Sequence, residues 1–430
     1  MLDIRLIREN PDAVRANLAR RRAPEKLEHL ERVLAKDVEW RRDLQELQDL
    51  RHRRNAVSRE IGKAVKEDRK GDAFERLLAE AKYLPDQIKT TEARVDALRA
   101  EVDDGFLRLP NLLHDSVPDG AGPEDNVEIR RWGDPKVPAF PMKSHGELAE
   151  ALGIADFERA RKVAGAGFVY LMGDLVRLDQ ALIAFALDLL VKRGYTPVFP
   201  PFILRRSAYQ GVVDLKDFQD VMYKIEGEDA YLIATSEHAL VAMYQDEILD
   251  EARLPLRYCG VATQFRKEIG AHGVDTKGLF RMHQFNKVEQ VIFARPEDSW
   301  TLHEELRANL EAVFEALGIP HRTIVLCSAD TGNVMAKTYD VEAWFPRQNA
   351  YREVGSCSNA IDFQARRLGI RVGKAGGEKR LVHTLNSTAV ATSRAMTAIL
   401  ENFQNEDGTV TVPKVLRPFM GGVERIGAPR

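Results

Sequence analysis

Phe74, Leu77, Ala81, Leu84, Ile88, Thr91, Val95, Leu98 and Val102 recur alternately three and four positions apart without a miss. That beat is a coiled-coil seam, and it commits the segment to a long helix whose apolar stripe needs a second helix to cover it. The partner lies upstream. Leu30, Val33, Trp40, Leu44, Leu47, Ile61 and Val65 keep the same beat, with Asp37, Arg51, Arg54 and Ser58 at seam positions between them. Charged residues dominate 27–102, glycine is nearly absent, and the pattern breaks at "KEDRKGD", residues 66–72. The expected structure is an antiparallel helical hairpin. Legs of ~30 to 38 residues would reach about 45 to 57 Å, with a kink or restart at Pro85, which lacks a backbone donor.

A hairpin that long has no domain core of its own, so its use is reach. Between Arg51 and Lys70 the bases Arg51, Arg53, Arg54, Arg59, Lys63, Lys66, Arg69 and Lys70 outnumber the acids Glu60, Glu67 and Asp68. The formal net charge of the chain is −3, so this positive distal half is a local feature. It reads equally as a solvated helical face or as a contact for an RNA backbone.

A length of 430 residues exceeds one ordinary domain. "LPNLLHDSVPDGAGPEDN", 109–126, is rich in Pro, Gly, Asn and Asp and reads as a linker between an N-terminal domain, 1–108, and a second domain, 127–430. The second mixes strand-like pieces such as "YLIATSE", "EQVIFAR" and "HRTIVLCS" with helical stretches such as "SWTLHEELRANLEAVFEALG". It lacks a steady βαβ rhythm and the glycine signatures of dinucleotide or phosphate loops. The longest apolar run, "ALIAFALDLLV" at 181–191, is interrupted by Asp188 and falls short of the ~20 residues that span a bilayer, so it reads as a buried helix and no membrane partner is expected. "MLDIRLIREN" carries no apolar signal core. Cys259, Cys327 and Cys357 form no CxxC pair, which fits a reducing, cytoplasmic setting.

In "GLFRMHQFNKVEQ", 278–290, Arg281, Phe285 and Glu289 recur every four residues and share a face in a helix or a strand alike. A cation, a ring and an anion on one face look like parts of a ligand site.

Several segments together resemble a known family. "GYTPVFPPFI" (194–203), with Pro201 as its motif proline, is similar to motif 1 of the class II aminoacyl-tRNA synthetases. "FRKE" (265–268), a loop, and "GLFRMHQFNKVEQ" are similar to motif 2, and "HTLNSTAVATSRAMTAILENFQ" (383–404) to motif 3 with its Arg394. "TSE" (235–237), "MHQFNKVE", "YREVGSCSNAIDFQARR" and the opening "MLDIRLIRENPDAV" resemble the seryl-tRNA synthetase family, of the common zinc-free type. The resemblance runs essentially end to end.

The resemblance implies an α+β fold: a class II antiparallel β-sheet flanked by helices as catalytic domain, with the coiled-coil arm binding tRNA. It implies a homodimer with motif 1, hence Pro201, in the interface, and motif 2 as two antiparallel strands, so that residues 281, 285 and 289 project from one strand face. The implied activity is ATP-dependent, AMP-forming serine–tRNA ligation: L-serine and ATP form seryl-adenylate, and the seryl group passes to tRNA(Ser), and to tRNA(Sec) where present. Arg266 would bridge the α-phosphate and the serine carboxylate, Glu268 would meet the adenine amino group, and Phe285 would stack on the base. Arg394 would cover the other face and reach the γ-phosphate, while Arg281 steers the outer phosphates; Lys267, Val354 and Gly355 complete the ATP-binding set. Glu353 and Ser356 would hold Mg²⁺, a hard cation suited to oxygen donors. Thr235, Glu237, Arg266, Glu289, Asn386 and Thr388 would bind serine, and Arg51, Arg53, Arg54, Arg59, Lys63 and Lys66 the tRNA. Gly355 departs from the serine frequent in bacterial relatives, and the motif 2 loop "IGAHGVDTKG", 269–278, would lie near the acceptor end. Two other readings are a ligase that loads an amino acid onto a carrier protein, a class that tends to lack the arm, and a non-catalytic coiled-coil adaptor, which retention of Arg266, Glu268, Glu353 and Arg394 opposes.

Overall fold

The computed structural model describes residues 1–215, 220–268, 278–374 and 377–427. The chain divides into two compact units, Met1–Ala19 with Ala23–Pro110, and Arg20–Arg22 with Asn111–Arg430. In the first, short helices α1 (Ile4–Glu9) and α2 (Pro11–Arg20) precede the long helices α3 (Pro24–Lys66, 43 residues) and α4 (Asp72–Leu107, 36 residues). At 1.5 Å per residue these legs span roughly 65 and 54 Å, so the first is longer than its heptad pattern suggests. The extra length comes from the stretch before Leu30, where Pro24 opens the helix at a position that needs no backbone donor.

The legs run antiparallel, as expected: His29 Nε2 meets the Gly105 carbonyl at 2.9 Å near one end and Arg53 pairs with Glu80 further along. They touch closely at Gly105, where a Cβ would fall 2.6 Å from Val33 Cγ2. Asp37, at a seam position, is fully buried and held by Arg8 Nε from α1 and Arg41 Nε, each at 3.0 Å, which makes a charged residue tolerable there. Two expectations are corrected. Of the two alternatives at Pro85, the restart does not occur: helix α4 runs on through it, with Pro85 on the exposed face, where water can satisfy the carbonyl it leaves free. The distal seam of α3 is also out of phase by one residue. The buried or half-buried positions are Leu50, Val57 and Ala64, not Arg51, Ser58 and Val65, and Val65 is 63% exposed. Two successive three-residue steps, Leu44 to Leu47 to Leu50, shift the stripe so that aliphatic side chains meet α4 in place of Arg51 and Ser58. Val57→Asp should therefore destabilise the hairpin by ~3 kcal/mol, whereas Val65→Asp should change it by less than about 0.5 kcal/mol, measured by hydrogen exchange of the arm. Equal effects would restore the first phase.

The second unit is built on an eight-stranded sheet: β1 (Val127–Trp132), β2 (Thr196–Val198), β3 (Leu256–Phe265), β4 (Gln284–Ala294), β5 (His321–Val325), β6 (Lys337–Phe345), β7 (Ala350–Ile361) and β8 (His383–Ala391), ordered β1-β5-β6-β7-β8-β4-β3-β2. Every pairing is antiparallel except β2 with β3, so the expected antiparallel sheet flanked by helices is present. Helices α5 (Gly173–Lys192), α6 (Ser236–Ala242), α7 (Ser299–Leu317) and α8 (Thr392–Asn402) follow in chain order. Leu182, Leu190, Leu310, Phe314 and Met396 from these helices join Val288 and Ile292 of β4 in one buried core. The run 181–191 is indeed helical, buried along one face. Helix α7 stops at Gly318, whose φ of 75° only glycine adopts cheaply. "YLIATSE" is strand only over Ala230–Leu232, because Thr235 then caps α6. The segment read as a linker is bonded into this unit from its third residue: Asn111 is buried, and its side-chain amide donates to the Val334 and Ala360 carbonyls at 2.9 Å. Among the described residues no helix is long and apolar enough to cross a membrane.

Candidate active site

Three strands supply the site because of their register. Glu289 of β4 lies opposite Gly260 of β3 on one side and Thr388 of β8 on the other, so the middle of β4 is flanked by neighbours on both edges. β3 ends at Phe265, but Arg266 N still bonds the His283 carbonyl at 2.9 Å, which aims the Arg266 side chain back over the sheet. Arg394 projects from the first turn of α8, directly after β8. One cleft is lined by Arg266, Glu268, Arg281, Phe285, Glu353, Val354, Gly355, Ser356, Thr388 and Arg394.

Every sequence-selected ATP position except Lys267 lines this cleft; the Lys267 ammonium instead lies over the Tyr223 ring at 5.8 Å. Arg281 also differs from expectation. Strand β4 begins at Gln284, so Arg281 reaches the cleft from the preceding bend, paired with Glu268 at 3.2 Å, rather than from the strand face that carries Phe285 and Glu289. Most of the motif 2 loop, 269–277, lies outside the described residues.

The electrostatics of the cleft are those of an anion site. Desolvation and then the charge of Arg394 push the Arg266 guanidinium down from its ordinary value, outweighing the carboxylates of Glu268, Glu353 and Glu289, so two cations are crowded together here. Arg266 lies over Phe285 at 5.5 Å and Arg394 over Phe280 at 5.3 Å. Burial acts to raise the Glu353 carboxyl, but Arg394, bonded to it at 2.7 Å, outweighs this and holds it below the usual carboxylate range.

Strands β6 and β7 explain how Glu353 and Ser356, three apart, share a face. Glu342 pairs with Glu353, Val341 with Gly355 and Asp340 with Ser356, so Val354 is the extra residue of a β-bulge. Asp340, which no sequence motif marked, thereby faces the same way as Ser356, and its Oδ1 is buried without a hydrogen-bond partner. Burial and the charge of Glu353 push the Asp340 carboxyl well above its ordinary range, and an unmet carboxyl oxygen beside a carboxylate and a hydroxyl suits a small divalent cation, which would favour its ionised form. A Cβ on Gly355 would fall 2.8 Å from Thr388 Cβ, so glycine here leaves Thr388 undisturbed.

Deeper between the strands lies a buried polar cluster. Thr235 caps α6, accepting from Glu237 N at 3.3 Å. Asn386 of β8 donates to both Glu237 Oε2 and Glu289 Oε1 at 3.1 Å, and Gln364 donates to Glu237 Oε1 at 3.0 Å. All the serine-pocket candidates are thus contiguous with Arg266 or with one another. Burial first, and the charge of Glu289 second, push the Glu237 carboxyl up to about 7. Sequence reasoning missed Gln364, Phe280 and Lys287. For Lys287 a signal existed: in a strand it shares the face of Phe285 and Glu289, two residues from each.

Within the arm, Arg51 bonds Glu92 at 2.6 Å and Arg53 bonds Glu80 at 2.5 Å, so both are engaged across the hairpin. Arg54, Arg59, Lys63 and Lys66 have no acidic partner among the described residues. Pro201 is exposed beside Phe199 and Ile203, which are 76% and 51% exposed.

Comparison with known proteins agrees with this geometry. The family model described as the seryl-tRNA synthetase N-terminal domain matches residues 1–113, and that described as the tRNA synthetase class II core domain (G, H, P, S and T) matches 222–403. A serine–tRNA ligase from Methanocella arvoryzae is 56% identical over 426 residues, 99% of this chain and 100% of the relative. Among solved structures, seryl-tRNA synthetase from Pyrococcus horikoshii complexed with ATP aligns with a TM-score of 0.94 at 47% identity, covering 100% of both chains. The cytoplasmic serine–tRNA ligase from Naegleria fowleri in complex with AMP aligns at 0.89 and 36%, covering 99% of this chain and 98% of that one. Arm, sheet, cleft and sequence therefore agree, and the chain belongs to the seryl-tRNA synthetase family, the serine–tRNA ligases.

Proposed function

We propose that this chain binds ATP, L-serine and tRNA(Ser) and makes seryl-tRNA in two steps. A serine carboxylate oxygen attacks the α-phosphorus of ATP, the bond to the bridging oxygen breaks, and pyrophosphate leaves. A hydroxyl of the terminal tRNA ribose then attacks the seryl carbonyl, loses its proton, and AMP departs. The observation that carries this reading is the convergence of Arg266 and Arg394 in one cleft beside a pocket with two carboxylates. Chemistry of this kind needs positioning and charge neutralisation at phosphate oxygens more than an acid–base pair.

In this reading Arg266 spans the α-phosphate and the serine carboxylate, since a planar guanidinium holds two oxygens at once. Phe285 offers its ring to adenine, Glu268 accepts from the adenine amino group, and Arg281 and Arg394 meet the outer phosphates. Glu353 and Ser356 would hold Mg²⁺, with Asp340 close enough in the sheet to support it; when bound, the ion supplies positive charge to the phosphate oxygens. Thr235, Glu237, Glu289, Asn386 and Thr388 bind serine. A pocket built to bond a hydroxyl rejects alanine by roughly 10⁴, because its own polar groups would otherwise be left unpaired. Arg54, Arg59, Lys63 and Lys66 follow the tRNA backbone, with Arg51 and Arg53 as weaker contributors. The exposed Phe199, Pro201 and Ile203 would be covered in a homodimer, and the cytoplasm, where three buried thiols stay reduced, is the proposed compartment. Purified protein should exchange pyrophosphate into ATP with serine and at least 10³-fold less efficiently with alanine. Exchange independent of the amino acid would sink the reading.

A further inference from the structure

Lys287 is the buried cation common to the nucleotide cleft and the serine pocket. It lines the cleft, is only 6% exposed, and its ammonium touches Glu289 Oε2 at 2.5 Å. Lysine is almost never this buried unless it is paired. Its partner is one of two carboxylates that share a single amide, that of Asn386. Left alone, two such carboxylates would compete for the one ammonium of serine, or one of them would keep a proton.

We propose that Lys287 is a positioning residue that gives these carboxylates different tasks. By neutralising Glu289 it leaves that side chain to accept from the substrate hydroxyl, and leaves Glu237 as counter-ion of the substrate ammonium. The proposal rests on the serine reading above and deepens it. Two observations support the division. Glu289 Oε2 is buried, and its contact among the described residues is the Lys287 ammonium at 2.5 Å, so a second lone pair of that oxygen is left to accept. Among the described residues both Glu237 oxygens are bonded by neutral amides, those of Gln364 and Asn386, and no cation forms an ion pair with it. The charged groups bearing on Glu237 are Glu289 and Lys287 from β4 and Arg266 after β3. The neighbouring His238 of α6 is pushed down to about 3 by burial and stays neutral. Because the Glu237 carboxyl is raised, a proton competes with the ammonium below about pH 7.

The test is pyrophosphate exchange from pH 6 to 9 with serine and with alanine. In the unaltered protein, kcat/KM for serine should rise with a midpoint near pH 7. Lys287→Met should raise the serine KM at least tenfold, move the midpoint up by about one unit and reduce the preference for serine over alanine at least tenfold, while the ATP KM shifts less than threefold. Adding Lys287→Met to Glu289→Gln should cost less than a further twofold, because the lysine acts through that carboxylate. Glu289→Gln should weaken exchange with serine at least tenfold more than exchange with alanine, whereas Glu237→Gln should weaken both amino acids alike; this contrast holds even if Lys287→Met does not fold. A Lys287→Met protein of unchanged melting temperature with unaltered serine KM, preference and pH profile overturns the proposal. So does a Glu289→Gln protein that loses alanine and serine alike. Absence of serine-dependent exchange in the unaltered protein would instead overturn the functional reading beneath it.

Discussion

Replacing Arg266 with alanine should lower kcat/KM for pyrophosphate exchange by about 10³ and leave the melting temperature within ~2 °C of the parent. One preorganised donor aimed at developing phosphate charge is worth roughly 10²–10³, and Arg266 would serve two anions at once. Stability should hardly move, because desolvation and the charge of Arg394 both act against this cation and outweigh the carboxylates around it. What is lost is the 3.0 Å bond from Arg266 Nε to the Ala234 carbonyl, about 1 kcal/mol. Relief of that desolvation and repulsion acts in the opposite direction. Arg266→Lys should recover at most tenfold, since an ammonium keeps the charge but cannot span two oxygens. A loss under tenfold for Arg266→Ala, measured with saturating serine, would remove Arg266 from the α-phosphate.

Deleting residues 31–100 should spare pyrophosphate exchange within threefold and lower tRNA(Ser) charging by more than about 10³, because arm contacts to tRNA phosphates supply sequence-independent affinity. The cut is feasible. His29 Nε2 and the Gly105 carbonyl, both retained, lie 2.9 Å apart across the base of the hairpin, so a short link can rejoin the stumps, and the second unit has its own core. A finer version separates the arm bases. Substituting Arg54, Arg59, Lys63 and Lys66 together should flatten the dependence of log KM for tRNA on log salt by about 3 to 4 units, at roughly 0.7–0.9 per phosphate contact. Substituting Arg51 and Arg53 should flatten it less, because Glu92 and Glu80 already hold them. Normal charging by the deleted protein would end the arm's role in binding tRNA.

The arm was legible because a 3.5-residue period needs only near neighbours to be seen, and nine positions from Phe74 to Val102 keep it. Its distal register was not. Leu50 or Arg51, Val57 or Ser58, Ala64 or Val65 are adjacent choices, and the facing helix decides which of each pair is covered. The cleft was legible through motifs whose residues lie close in sequence, such as Arg266 with Glu268 and Glu353 with Ser356. Asp340 carried no such mark, because only the β6–β7 register sets it opposite Ser356. Lys287 was hidden for a different reason: a four-residue period passes over it, and only the assignment of β4 as a strand brings the two-residue period into force.

The order of residues along the chain was enough to establish a helical hairpin from its period, which reflects contacts between near neighbours, and its motifs pointed to an antiparallel α+β domain and a set of candidate site residues through their resemblance to a family. Tertiary structure alone decided that Arg266 and Arg394 crowd one another, that a bulge at Val354 turns Glu353 and Ser356 to one side, and that Lys287 reaches Glu289. Those arrangements depend on how distant strands align, and backbone hydrogen bonds, identical at every residue, write no pattern of their own into the sequence.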